Sequence, residues 1–334
     1  MSNNKKNDYD YLFLSAMLNA REPKLLTRER MERMLDAPSF DEAAKLLIDC
    51  GFEDMSGMNA KQLDEGLAAH RARVFEELYR LIPEPEIVDT FCLKYDYHNA
   101  KVLIKSESAN VDGAYLMSSS GRVPPQALMD AYHSEELRDL PKRLADALSE
   151  ARSIMKRTEN PQLADFVLDR AYYEEMGEIA EKLYSPFLRE YVRLSVDGAN
   201  LRALVRTLRI GRGADFLETA LIGGGSIPTK KLVQLVADKE DFVPLYAYTP
   251  FEEAAKLGDA AAKGGKLTEF ELCCDNALNI YFAKAKQTNF GAPTVIAYIA
   301  AMENEITAAR MILTGKLSGV DSQIIRERLR DINA

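Results

Sequence analysis

The sequence predicts an all-α protein. Helix-start signals recur along its 334 residues, whereas the alternating runs of β-branched and polar residues that are typical of strands do not. Apolar residues make up 47% of the chain and charged residues 28%, which is the composition of a folded chain and not of a disordered or collagen-like one. The length suits about two ordinary domains or one larger array of repeated units.

Four segments carry helix-start signals. Ser39 and Glu42 have the spacing of a capping box, in which each side chain bonds a backbone N–H at the helix start. Gly51 is the expected end of that helix. Asn160 followed by Pro161 predicts a simpler start. Two further boxes are predicted at Thr249 and Glu252, with Pro250 in the first helical position, and at Thr268 and Glu271.

Two kinds of segment each recur three times, about 100 residues apart. In the first kind, an acid is followed five positions later by a base and then by an apolar run. The acids are Asp96, Asp197 and Glu305, and the bases are Lys101, Arg202 and Arg310. In the second kind, an apolar residue precedes a helix start, and another apolar residue follows four positions after that start. The starts are Thr27, Pro124 and Pro228, and the later apolar residues are Met31, Leu128 and Leu232.

The two series keep the same order along the chain, so we predict a threefold internal repeat of helical units. The predicted units are residues 1–112, 113–215 and 216–334. Chance similarity among amphipathic helices is the alternative, because any such helix resembles another.

Charge and hydropathy exclude several classes of protein. The formal net charge of −9 and the pI near 5.2 argue against a general nucleic-acid binder, although a local basic stripe is compatible with them. The stretch between Lys286 and Glu303 is too short and too broken to span a bilayer. The N-terminus lacks the apolar core of a secretory signal. We therefore expect a cytoplasmic chain without a membrane span, whose four cysteines are reduced and buried.

No motif marks a catalytic, metal or cofactor site. Gly223–Gly225 precedes a predicted helix start, and such a loop can bind phosphate, but it lacks the lysine of a Walker loop. We interpret it as a turn between repeats, and Gly315 as the cap of a long helix that begins near Pro293. The three histidines have no metal-ligand spacing. There is no nucleophile elbow, and no pair of carboxylates stands out for acid and base chemistry.

Basic side chains form the candidate interface. Lys101 with Lys105, and Arg202 with Arg206, are four residues apart and share a helix face. The acid five positions before each base lies about 140° away around the helix, so the two cannot pair within it. An acidic neighbour is therefore expected, either from elsewhere in this chain or from a partner protein. The candidate interface residues are Lys101, Lys105, Arg202, Arg206 and Arg310.

Taken together, these segments resemble a known family over nearly the whole chain. The opening Y-D-Y-L-F-L-S-A-M-L-N-A-R-E followed by L-L-T, the G-F pair at Gly51, the D-x-x-N-[AL]-[KR] helices and the closing E-N-E-I-T-A-A-R-M-I-L-T-G-K look like the C subunit of V/A-type rotary ATPases, the equivalent of the d subunit of the eukaryotic vacuolar pump. The third copy has Ala308 where the others have Asn99 and Asn200. This departure favours a structural role for the asparagines, such as a buried amide contact.

The resemblance implies a funnel-like protein of three similar helical units without catalytic activity or cofactors. Such a protein seats the central rotor shaft on the membrane ring of proteolipid subunits, as a single copy on the cytoplasmic face, in a complex that links ion transport to ATP hydrolysis or synthesis. We expect a monomer when the chain is isolated, and ring contacts through exposed apolar residues on loops or helix ends. An unrelated helical-repeat adaptor, and an all-α enzyme that binds anions at Gly223–Gly225, are the alternatives.

Overall fold

The computed structural model describes residues 7–331. Helices are the regular elements of that range, and it contains no β-strand, so the all-α prediction is confirmed. The α-helices in chain order are α1 (Leu12–Arg21), α2 (Arg28–Asp36), α3 (Phe40–Lys45), α4 (Ala60–Leu81), α5 (Glu86–Ala109), α6 (Pro125–Ser134), α7 (Lys142–Thr158), α8 (Pro161–Lys182), α9 (Pro186–Arg209), α10 (Ala214–Ala220), α11 (Thr229–Asp238), α12 (Glu252–Ala262), α13 (Leu267–Ala283), α14 (Ala292–Leu317) and α15 (Ser322–Arg326). Short 3₁₀ helices lie at Asp8–Tyr11, Glu22–Lys24, Ile48–Cys50, Ala114–Leu116, Leu137–Asp139, Val243–Tyr246 and Lys284–Gln287.

The contacts divide the chain into two compact units. The first unit consists of the described parts of Met1–Pro85 and Tyr246–Ala334, and the second is Glu86–Leu245. The division into three repeats, with boundaries after residues 112 and 215, stays a prediction.

In the first unit, α14 is the central helix. It packs against α1, α2, α3, α4, α13 and α15, and its apolar side chains Ile296, Ile299, Ile312 and Leu313 are fully buried. A helix that is apolar on most of its circumference has to be covered on most sides. Its sequence therefore explains why it is surrounded by shorter helices.

In the second unit, the long helices α5 and α9 are the most buried. Helix α5 packs against α6, α7 and α8, while α9 packs against α8 and α10. Leu93, Leu201 and Leu204 are completely enclosed. No described helix is both long and apolar enough to cross a membrane.

One local start signal forms as predicted, and a second forms in part. Asn160 caps α8 by accepting a 3.0 Å hydrogen bond from the Gln162 N–H, and Pro161 occupies the first turn. Ser39 caps α3 by accepting from the Glu42 N–H at 3.2 Å, but the return bond of the predicted box, from the Ser39 N–H to the Glu42 side chain, is absent from the described structure. The helix after Ser39 is interrupted, however: α3 ends at Lys45, and a 3₁₀ turn carries the chain to Gly51, which has a left-handed φ of 88°.

The other two capping boxes are wrong. Helix α12 begins only at Glu252, because Thr249 and Glu252 instead stabilise the preceding turn. The Thr249 hydroxyl accepts from the Phe251 N–H, and the Glu252 carboxylate accepts from the Tyr248 N–H. Helix α13 begins at Leu267, so Thr268 lies inside it.

Gly315 is not the cap of the long helix, which does begin near Pro293 as predicted but continues to Leu317. A Cβ at Gly315 would lie 2.4 Å from the Ile325 side chain. The glycine therefore allows α15 to approach α14 closely. Gly319, with a φ of 65°, provides the left-handed residue that follows the helix.

Removing the Asn160 cap tests the local account of helix α8. Asn160→Ala leaves the Gln162 N–H without its side-chain acceptor and is expected to lower the free energy of unfolding by about 1 kcal/mol. Urea unfolding followed by circular dichroism measures this change. Gln162→Ala is the matched control, with an expected change within about 0.5 kcal/mol. Equal losses in the two variants would contradict the capping role.

Candidate functional site

The two repeated sequence patterns meet in space. Each acid of the first series faces the backbone N–H just before a helix start of the second series. The acids are Asp96, Asp197 and Glu305, which we call the capping carboxylates. The Val123 and Ile227 N–H groups donate to Asp96 and Asp197, and the Leu26 N–H lowers the pKa of Glu305. These donors directly precede Pro124, Pro228 and Thr27, the N-cap residues of α6, α11 and α2. The positive end of a helix favours a nearby carboxylate.

Asp96 is fully buried in α5 and has donors on both oxygens. Its Oδ1 accepts from the Val123 N–H at 3.0 Å, and its Oδ2 accepts from Arg122 Nε at 2.8 Å. Arg122 also contacts Glu175 at 2.9 Å, and Glu175 accepts from the Tyr97 hydroxyl at 2.7 Å. Burial raises the pKa of Asp96, although Arg122 and the Val123 N–H oppose that rise.

Asp197 occupies the corresponding place in α9 and is 3% exposed. Its Oδ1 accepts from the Ser226 N–H at 2.8 Å and from the Ile227 N–H at 3.3 Å. The Ser226 hydroxyl donates to Oδ2. Burial raises the pKa of Asp197, and the Ser226 and Ile227 donors oppose this rise.

Two glycines make room for these carboxylates. A Cβ at Gly121 would lie 2.2 Å from Asp96 Oδ1, and one at Gly225 would lie 2.4 Å from Asp197 Oδ1. Each glycine stands two residues before the donor residue. The equivalent residue of the first segment is Lys24, and there the acid is Glu305, one methylene longer than aspartate.

Glu305 is 1% exposed in α14. The Leu26 N–H faces its carboxylate and lowers its pKa, whereas Oε1 is buried without a hydrogen-bond partner among the described residues. Burial raises the pKa of Glu305 to about 8, against the opposing effects of the Leu26 N–H and of Arg30.

Asn99 and Asn200 make the buried amide contacts that their pattern predicts. Asn99 donates to the Ser118 carbonyl and accepts from the Ser118 N–H, both at 2.8 Å. Asn200 bonds both backbone groups of Ile222, at 2.8 and 2.9 Å. Each amide therefore bonds one backbone N–H and one carbonyl of the loop that leads to the next helix start. Ala308 is buried and has no amide with which to do so.

The candidate interface residues have acidic neighbours within the chain at three positions. Lys101 contacts Asp169 at 2.5 Å, Lys105 contacts Asp165 at 2.8 Å, and Arg310 contacts Asp64 at 2.8 Å. These acids come from other helices of the same unit, as the 140° separation requires. The other two candidates, Arg202 and Arg206, lie on α9. An interface role for the five bases stays a prediction.

Other sequence candidates have structural roles. The Gly223–Gly225 segment is a bend between α10 and α11, and the N–H groups that follow it, of Ser226 and Ile227, bond Asp197. His70 is buried against the Phe52 ring, and burial lowers its pKa to about 4. Cys50, Cys92 and Cys274 are buried thiols. Within residues 7–331, no cluster of side chains has the composition and proximity to hold a metal ion.

Sequence reasoning missed two buried charge contacts. Arg122 joins Asp96 to Glu175 in the second unit, and Arg71 of α4 pairs with Glu303 of α14 at 2.9 Å in the first. Arg71 and Glu303 are 232 residues apart, so no local spacing could reveal them. The capping contacts did leave a signal, since the donors Val123 and Ile227 follow their acids by nearly the same number of residues.

Comparison with known proteins identifies the family. The family model of the ATP synthase (C/AC39) subunit matches residues 14–328. The chain belongs to this family.

The relatives within the family are C subunits of V-type and A-type ATPases and are matched over nearly their full length. The chain is 26% identical to that of the V-type sodium ATPase of Enterococcus hirae, covering 97% of this chain and 99% of that protein. It is 23% identical to that of the V-type ATP synthase of Thermus thermophilus, covering 96% and 98%. The C subunit of the A-type ATP synthase of Methanocaldococcus jannaschii is 22% identical, with coverage of 96% and 86%. The chain is thus a non-catalytic subunit of a rotary ATPase.

The glycine beside Asp96 offers a test of the capping geometry. Gly121→Ala places a methyl group against Oδ1 and forces the carboxylate away from its donors, so we expect a loss of about 1–3 kcal/mol in the free energy of unfolding. Gly177→Ala is the matched control in the same unit. It lies in α8 with no atom within 4 Å of an added Cβ, and is expected to gain about 0.5–1 kcal/mol. A neutral Gly121→Ala would contradict the close approach.

Arg310 separates a surface role from a structural one. Arg310 and Asp64 have side chains 61% and 48% exposed, so Arg310→Ala is expected to change the free energy of unfolding by about 0.5 kcal/mol or less. Arg71→Ala, which breaks a buried pair, serves as the comparison with an expected loss of about 3 kcal/mol. A loss of similar size for Arg310→Ala, measured by thermal unfolding of the isolated chain, would show that Arg310 is structural.

Proposed function

We propose that this chain is the central-stalk component that couples the rotor shaft to the proteolipid ring of a V/A-type ATPase. The observation that carries the proposal is the family match over residues 14–328, together with relatives named as C subunits that it matches nearly end to end. On this proposal the protein lies on the cytoplasmic face of the membrane as a peripheral protein, and its partners are the shaft subunits and the ring.

The internal ties of the long helices support a role in transmitting torque. A coupling protein has to resist deformation between its two partners. Helices α5, α9 and α14 are 24, 24 and 26 residues long, and each is tied to the start of a shorter helix by a capping carboxylate. Buried, well-packed contacts of this kind are stiff, because protein interiors have low compressibility.

Exposed apolar residues at the ends of the long helices support contact with partner proteins. After α5, the side chains of Val111, Tyr115 and Leu116 are 60%, 78% and 53% exposed. Ile210 directly follows α9 and is 58% exposed, and Val320 follows α14 and is 40% exposed. Clusters of exposed apolar side chains are typical of interaction surfaces. We propose the cluster of Val111, Tyr115 and Leu116 as a contact with the ring.

A pull-down from the native membrane fraction tests the coupling role. The tagged full-length chain is purified in mild detergent, and the subunits that accompany it are identified by mass. Recovery of both proteolipid and central-stalk subunits is the expected result. A preparation that contains neither, from membranes that hold an intact rotary ATPase, would contradict the proposal and favour a helical adaptor.

The Tyr115 side chain tests the proposed ring contact separately. Tyr115→Asn removes an exposed aromatic ring from the cluster and is expected to reduce recovery of the proteolipid about tenfold, since an interface aromatic of this kind can contribute about 1.4 kcal/mol or more to binding. Tyr248→Asn is the matched control, because Tyr248 is fully exposed and belongs to the turn before α12, outside the segments that follow the long helices. Unchanged recovery with Tyr115→Asn would remove this cluster from the interface while leaving the coupling role intact.

A further inference from the structure

Glu305 differs from the other two capping carboxylates in how its charge is compensated. Asp96 and Asp197 receive donors on both carboxylate oxygens. Glu305 is 1% exposed on α14, which packs against α2, and its Oε1 is enclosed without a partner in the described structure. The Leu26 N–H faces the carboxylate and lowers its pKa. A buried polar atom without a partner is costly, and the cost is greater when the atom carries charge.

The nearest cation does not close this gap. Arg30, on α2, donates to the backbone carbonyls of Lys24 and Leu25 at 2.7 and 2.8 Å. It also lies 3.7 Å from Cys50 Sγ. Within residues 7–331, no ion pair joins Glu305 to Arg30 or to another base, so the guanidinium acts on Glu305 only at longer range.

The other titratable groups around Glu305 supply no compensating positive charge. Cys50, from the 3₁₀ turn after α3, has a pKa raised to about 11 by burial, so it is a neutral thiol near neutral pH. Tyr298, on α14 itself, has a pKa raised by burial and is a neutral phenol. From α4, Arg71 faces Glu303 of α14 in a buried pair. Arg21 of α1 pairs with Glu77 at 2.6 Å.

We propose that Glu305 is a proton-dependent latch between α14 and the start of α2. With its proton, the carboxyl group is neutral and the buried junction is held closed. Without it, an incompletely compensated charge remains in the core and favours opening of the junction between α14 and the start of α2, where water can reach the carboxylate. The proposal concerns a conformational device inside the first unit and does not depend on the coupling role.

The pKa of Glu305 places this change near neutral pH. Burial raises the pKa from the ordinary 4.5 to about 8. Between these two values the folded chain keeps a proton that the unfolded chain has released. The free energy of unfolding therefore decreases as pH rises through this window, and the loss is complete above the pKa of the folded state. A latch of this sign is closed at acidic pH and weakened at alkaline pH.

Amide hydrogen exchange of the intact chain tests the latch. Exchange is followed by mass spectrometry at pH 6.5 and pH 8.5 and corrected for the intrinsic pH dependence of exchange. We expect the protection of peptides covering α2 to fall about tenfold or more at the higher pH. A difference of about one pH unit between the pKa values of the closed and open states changes the opening equilibrium about tenfold. Peptides covering α6 and α11 serve as the comparison. Burial also raises the pKa of Asp96 and Asp197, but donors on both oxygens oppose that rise, so we expect a smaller change in protection there.

Two variants make the assignment specific to Glu305. Glu305→Gln is neutral at both pH values, so protection of α2 is expected to be the same at pH 6.5 and 8.5. Glu29→Gln, which neutralises an exposed carboxylate in the first turn of the same helix, is expected to keep the pH response of the wild type. A response that persists in Glu305→Gln would overturn the proposal. If that variant does not fold, an equal response of α2, α6 and α11 in the wild type would overturn it as well.

Discussion

The fold depends on a recurrent contact between a carboxylate buried in a long helix and the backbone N–H at the start of a shorter one. The first N–H groups of a helix and of its approach have no partner within the helix. Where such a start is buried, an acceptor must come from elsewhere in the chain. Asp96 and Asp197 provide it for α6 and α11, and Glu305 faces the corresponding N–H before α2. A glycine two residues before the donor is then required wherever the acid is the shorter aspartate.

The amides of Asn99 and Asn200 follow from the same geometry. Residues three apart lie on one face of a helix, so each asparagine faces the same loop as its aspartate. The aspartate bonds the end of the loop, and the asparagine bonds a backbone N–H and carbonyl nearer its beginning. Together the two side chains fix the path of the chain from a long helix to the next short one. The D-x-x-N pattern is therefore explained by the hydrogen bonds of its aspartate and asparagine to the loop backbone, and no ligand is needed to explain it.

The sequence was informative where a structure depends on local spacing. It predicted the helical class, the Asn160 cap and the recurring acids and apolar positions, because each of these is set by neighbours within one helical turn. The pattern of a capping box at Thr249 also describes a turn, and the structure forms the turn, in which the Phe251 and Tyr248 N–H groups donate to the Thr249 and Glu252 side chains. Lys101 finds Asp169 from another helix 68 residues away, so no local pattern could name its partner.

A repeated sequence pattern does not mean that the buried charge at each copy is compensated equally. The three capping carboxylates share a position and a donor, yet they differ in the number of donors and in the nearby bases. Arg122 stands immediately after Gly121 and reaches Asp96 directly, whereas Arg30 is occupied by the carbonyls of the turn before α2. Burial raises the pKa of all three carboxylates. Donors on both oxygens oppose that rise at Asp96 and Asp197, whereas Glu305 keeps one oxygen without a partner in the described structure. The same position of the repeat therefore holds a differently compensated carboxylate in each of the two units.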